Sequence, residues 1–155
     1  VLHLHVEEPQ RALRFAASGT LDFTYCTGLG KMLMSTLPAE QLAEHLPQAE
    51  PYLEFTPKTI TTRAGMEAEL AAIRERGYSL DDEERNRGVI CLAVLVPVAG
   101  AKPVSLSISA PSGELMQPGD QERCYHAVRD TAETLAANPR FVSALAAFNS
   151  KVNNG

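Results

Sequence analysis

VICLAVLVPVAGAKPVSLSISAP, residues 89–111, is the stretch on which the fold turns. Its first part, Val89 to Val98, is apolar at odd and even positions alike, a pattern suited to a strand covered on both sides. Its last part alternates strictly. Val104, Leu106, Ile108 and Ala110 point one way, and Ser105, Ser107 and Ser109 the other. AGAK between them suits a hairpin, so a central strand pairs antiparallel with a half-wet neighbour. If residues directly opposite sum to 200, Cys91 faces Ser109 and Ser107 joins them, giving one side two hydroxyls and a thiol. A slip of one residue would turn the serines to the side away from Cys91. The wet side of an ordinary edge strand carries serines too.

Upstream lies RGYSLDDEERNRG, residues 76–88, with four consecutive acids from Asp81 to Glu84. Before it, Met66, Leu70 and Ile73 recur at helical spacing, which predicts a helix over about Thr62 to Arg76, stopped by Gly77. TPKTITTRAG, Thr56 to Gly65, is expected to lead into it as an extended link. Val1 to Val6 and ALRFAA (Ala12 to Ala17) read as strands, and Ser18 to Asp22 as loop. A helix begins at Gly28, with Leu29, Met32 and Leu33 on one stripe, and ends by Pro38. PAEQLAEHL forms a short helix with Pro38 in its first turn. Downstream, Cys124, Val128, Ala132 and Leu135 predict a helix over about Gln121 to Ala137. Asn138-Pro139 breaks it, and Phe141, Leu145 and Phe148 mark a closing helix. With no βαβ rhythm, the expected fold is α+β: a central antiparallel sheet flanked by helices.

At 155 residues, 45% apolar and 21% charged, the chain is expected to form one globular domain. A net charge of −5 without a Lys/Arg cluster argues against nucleic-acid binding by this chain alone. No apolar run reaches bilayer length, so no membrane partner is expected. There is no leader pattern, and a chain opening at Val1 looks like part of something longer. Three cysteines without a CxxC pairing suit free thiols and a cytoplasmic location.

TGLGK, Thr27 to Lys31, fails as a phosphate loop: Tyr25 stands where a glycine is needed, and Met32 replaces the magnesium-binding hydroxyl. The segment still opens a helix whose first N–H groups lack partners and suit a small anion. An ordinary cap by Thr27 is the alternative. The acid run lacks the spacing, glycine and terminal glutamate of a calcium loop. His3, His5, His45 and His126 form no zinc pattern, so no metal or cofactor is expected. Neighbouring Asp81 and Asp82 would point to opposite sides, and the run also suits a solvated turn. No GxSxG elbow and no histidine beside a nucleophile suggest an enzyme, so no catalytic residue is assigned.

Taken in order, TGLGKMLMSTLP, TPKTIT, ELAAIRERGYSLDDEERNRGVICLAVLVPV and SLSISAP resemble the effector-binding domain of IclR-type bacterial transcriptional regulators, over about Leu13 to Leu135. The RGYSLDDEE…G…CLA block is the most specific part. The resemblance implies a GAF-like fold, an N-terminal winged helix-turn-helix missing from this chain as the only DNA contact, and assembly to a dimer or tetramer. A terminal helix or sheet edge is the candidate interface. It also implies a sensor that binds a small organic acid and thereby changes DNA affinity. The implied ligand cradle falls on the backbone at Gly28 and Leu29, and on Asp81, Cys91, Ser107 and Ser109. Leu21, Phe23 and Met32 are candidate walls, while Asp82 to Glu84 are left as turn. Two departures from the family pattern bear on the ligand: a bulky Leu29, and Leu95-Val96-Pro97 at the strand end. The alternative is a free-standing binding protein or enzyme on the same fold.

Overall fold

The computed structural model describes residues 1–7, 17–100, 102–115 and 119–153. A short helix α1 (Gly28–Met34) is followed by α2 (Ala39–Leu42) and α3 (Arg63–Arg76), then by strands β1 (Ser79–Asp82), β2 (Val89–Val96) and β3 (Val104–Pro111), and by helices α4 (Ser112–Leu115), α5 (Asp120–Ala137) and α6 (Pro139–Asn153). The strands form an antiparallel sheet in the order β1-β2-β3. Val89–Val96 is its centre, as expected from a strand apolar on both faces. The hairpin takes the register that sums to 200: Cys91 opposes Ser109, Ala93 opposes Ser107, and Leu95 opposes Ser105.

Two cores lie against the two faces. On one, Ile90, Leu92, Val94 and Val96 pack with Val128 and Ala132 of α5, and Leu106 and Leu135 close the rim. On the other, Ala93 meets a core that includes Tyr25, Cys26 and Met32, with Met66, Leu70 and Ile73 of α3 fully buried. Each such buried aliphatic side chain contributes about 1.5–3 kcal/mol. Thr62 caps α3 by accepting from the Gly65 amide. Gly77 ends it at φ 84°, a left-handed conformation in which any side chain would be strained.

Several expectations are corrected. Val1 to Val6 is not a strand along its length: Leu2 forms a single antiparallel bridge with Leu21, so the loop expected at Ser18 to Asp22 includes its partner. The proposed strand Ala12 to Ala17 lies outside the described residues apart from Ala17. Pro38 precedes α2 as its N-cap, and that helix runs only from Ala39 to Leu42. The link before α3 contains a turn, in which the Thr59 amide donates to the Thr56 carbonyl at 3.0 Å. Strand β2 stops at Val96, two residues early. The start of the acid run, Asp81 and Asp82, lies in β1.

Candidate functional site

The register places Ser79 and Asp81 of β1, Cys91 and Ala93 of β2, and Ser105, Ser107 and Ser109 of β3 on one face. The start of α1 rests on that face. A Cβ at Gly28 would stand 3.3 Å from the Cys91 carbonyl oxygen and 3.5 Å from its Cβ, so glycine is what lets the helix approach so closely. Gly30 is tighter still, since a Cβ there would fall 2.3 Å from the Thr24 carbonyl oxygen. Ser79 Oγ donates to the Gly28 carbonyl at 2.6 Å, and Ser105 Oγ to that of Leu29 at 3.3 Å. Both alternatives for TGLGK coexist. Thr27 Oγ1 accepts from the Gly30 amide at 3.2 Å while donating to the Phe23 carbonyl at 2.6 Å. That leaves the amides of Gly28 and Leu29 without a hydrogen-bond partner among the described residues.

Asp81 is 3% exposed. Its Oδ1 accepts from the Glu84 amide at 2.8 Å and the Arg85 amide at 3.2 Å, fixing the turn after β1. Burial raises its carboxyl above the ordinary range, opposed by those two amide donors and by Lys31. Cys91 Sγ lies 3.0 Å from Ser109 Oγ. Burial, with the charge of Asp81 next, pushes its thiol up to about 12, so it is no nucleophile near neutrality. Leu29, Cys91 and Ser107 are half-buried and Ser109 is exposed. Asp81, Cys91, Ser107 and Ser109 share one face of the sheet, Gly28 and Leu29 lie in the helix start above it, and the Ser109 end opens to solvent.

The wall candidates separate. Met32 is buried in the core, while Leu21 is 81% exposed and Phe23 44%. A cavity of about 480 Å³ opens elsewhere, between the first residues, the start of β3 and α6, and it takes in Leu29 and Ser105 but none of Asp81, Cys91, Ser107 and Ser109.

Glu84, expected as part of a solvated turn, is 6% exposed. Its Oε1 accepts from Lys31 Nζ, and Lys31, itself fully buried, also lies 3.5 Å from Glu69, which pairs with Arg76 at 2.6 Å. Taking both charges out of water explains the pairing, because neither is tolerable alone. Burial lifts Glu84 from 4.5 to about 7 even though Lys31 opposes it. Its Oε2 is buried with no partner among the described residues. The lysine of TGLGK thus serves to tie α1 to the turn after β1. Asp82 and Glu83 do behave as surface acids, both paired with Lys58 at 3.1 Å.

Arg85 was also missed. Its guanidinium lies 4.3 Å from the Phe55 ring centre and 5.5 Å from that of Phe23, and its Nε donates to Asp22 Oδ1 at 3.0 Å. No group of His, Cys, Asp or Glu side chains suited to a metal ion occurs among the described residues.

Residues 1–137 match the family profile described as bacterial transcriptional regulator IclR C-terminal. The chain belongs to this family. The HTH-type transcriptional regulator BhcR of Paracoccus denitrificans is 36% identical over 115 residues, which cover 72% of this chain and 40% of BhcR. The crystal structure of the Thermotoga maritima IclR superposes with a TM-score of 0.72 at 28% identity, covering 82% of this chain and 51% of that one. The inducer-binding domain of a PobR double mutant from Acinetobacter, solved in complex with 3-hydroxybenzoic acid, gives 0.70 at 27% identity, covering 84% and 77%. The chain thus spans about 40% of BhcR and about half of the Thermotoga IclR. These IclR-type relatives are transcriptional regulators, not enzymes, and their C-terminal domains share this mixed sheet-and-helix fold.

Proposed function

We propose that the 155 residues act as one domain, the ligand-sensing and self-associating part of an IclR-type regulator. A small organic acid would place its carboxylate on the amides of Gly28 and Leu29, with Ser107, Ser109 and Cys91 orienting the rest. Asp81 would either accept from a ligand hydroxyl or hold the cradle loop, and its two amide donors favour the second. The acid would alter DNA binding by a winged helix-turn-helix outside this chain, in a dimer or tetramer, in the cytoplasm and without a metal or other cofactor.

The observation that carries this reading is the seating of Gly28 on Cys91, which is itself 3.0 Å from Ser109. That contact brings unpaired amides and a hydroxyl-bearing strand together. The PobR inducer-binding domain, bound to an aromatic acid, adds support by likeness. A thiol held near 12 speaks against the enzyme alternative.

A thermal-shift screen against small carboxylates tests the proposal, since a ligand that binds only the folded state raises the midpoint by mass action. At least one acid should raise it and be recovered unchanged. No shift across a broad panel would contradict the sensor. Chemical conversion of the acid would favour an enzyme. Self-association is checked by light scattering, where a persistent 16.8 kDa species at high concentration would refute it.

A further inference from the structure

We infer that Arg85 is the group that makes the site select acids over neutral ligands, by exchanging Asp22 for the effector's carboxylate. This inference rests on the effector reading above and adds to it the source of the charge and the competitor that the ligand displaces.

Two chains of contacts link Arg85 to the residues of the cradle. Along the backbone, its amide donates to Asp81 Oδ1, and Asp81 pairs across the sheet with Cys91, on which Gly28 rests. Along the side chain, its guanidinium stacks near Phe23, whose carbonyl accepts the Thr27 hydroxyl one turn before α1. The Arg85 charge is also the largest influence opposing burial on the Cys26 thiol, beside Thr27.

Charge supply then decides which group can meet an anion. Lys31 is fully buried and already faces Glu84 and Glu69. A seven-residue helix adds only a few local N–H donors. Arg85 spends its Nε on Asp22 and has a side chain 28% exposed, and none of its Nη atoms has a hydrogen-bond partner among the described residues. A guanidinium offers five donors in a planar fork that matches a carboxylate in pairs. Stacking on Phe55 holds that plane, so little side-chain freedom is lost when an anion docks. Asp22 Oδ1 also accepts from the Phe23 amide at 2.8 Å, so Asp22 keeps a partner when Arg85 leaves it.

The test is calorimetric titration of the full chain with each carboxylate that raises the midpoint in the screen, and with the primary amide of the same acid. Arg85→Gln should weaken the acid by about tenfold or more and leave the amide unchanged. Asp22→Asn removes the competitor and should tighten the acid several-fold, the opposite of what general structural damage would do. Acid affinity unchanged in Arg85→Gln, or weakened in Asp22→Asn, would overturn the inference while the sensor reading stands. Failure of the wild-type chain to bind any acid would overturn both.

Discussion

On the α5 side of the sheet, Ile90, Leu92, Val94 and Val96 pack against Val128 and Ala132 in an apolar layer. On the α1 side, the residues between them in the same strands include Cys91, Ser105, Ser107 and Ser109, and the layer above them is a helix start with unpaired amides. The two faces share the paired strands β2 and β3, and the chemistry of alternate positions sets what each face packs against. The first face is where apolar area is removed from water, and its contribution grows with every buried methylene. The second gives up part of that stabilisation for polar groups, and it needs Lys31 and Glu84 beneath it to hold α1 in place. An alternating strand can thus present an apolar side to one core and a polar side to a helix start.

The comparison can be broken most forcefully at the support beneath the polar face. Lys31→Met leaves Glu84 buried without its cation and should cost about 3–5 kcal/mol. In chemical denaturation the loss should be larger at pH 8 than at pH 5.5, where Glu84 takes up a proton. A small, pH-independent loss would show that the pair does not brace the site. On the apolar face, Leu92→Ala should cost about 2–5 kcal/mol in unfolding while leaving ligand affinity of the folded protein unchanged. A parallel fall in affinity would mean that the faces are not independent.

Glu84 sharpens the contrast through its titration. Its folded value of about 7 stands above the ordinary 4.5. Between those two values the folded state keeps a proton that the unfolded chain has released, so stability from this group falls as pH rises through the window. Wild type should therefore lose stability relative to Glu84→Gln from about pH 4.5 to 7, and the two curves should run parallel above it. Parallel curves throughout would contradict the burial argument. The smallest effect belongs to the open end of the polar face. Ser109→Ala, and likewise Ser107→Ala, should change stability by less than about 0.5 kcal/mol and weaken effector binding by about 0.5–1.5 kcal/mol. Unchanged affinity in both would remove the hydroxyls from the site.

Much of this division is legible in the chain. Serines at 105, 107 and 109 against apolar 104, 106 and 108 define the two sides of β3, while its register against β2 stayed conditional in the sequence and is supplied by the pairing itself. The helix α3 and its stop at Gly77 are equally local in origin. What escaped was tertiary. Glu84 lies in a run of acids that looks solvated by charge alone, and its partner Lys31 is 53 residues away. Arg85 meets Asp22 across 63 residues, with no spacing to announce it. Val1 to Val6 has a strand's composition, yet among the described residues its backbone pairing is confined to Val1 to His3, which exchange hydrogen bonds with Gly19 to Asp22 around the Leu2–Leu21 bridge, because strand propensity alone does not set how far a ladder runs.

On the proposed reading, an acid lands where α1 meets the serine-bearing strand. Amide chemical shifts of the labelled chain, followed during titration with an acid from the screen, test it directly. The largest changes are expected at Gly28, Leu29, Cys91 and Ser109, with Leu92 and Val94 nearly still. Changes confined to Leu2, Phe141 and Phe148, around the apolar cavity beside α6, would contradict it.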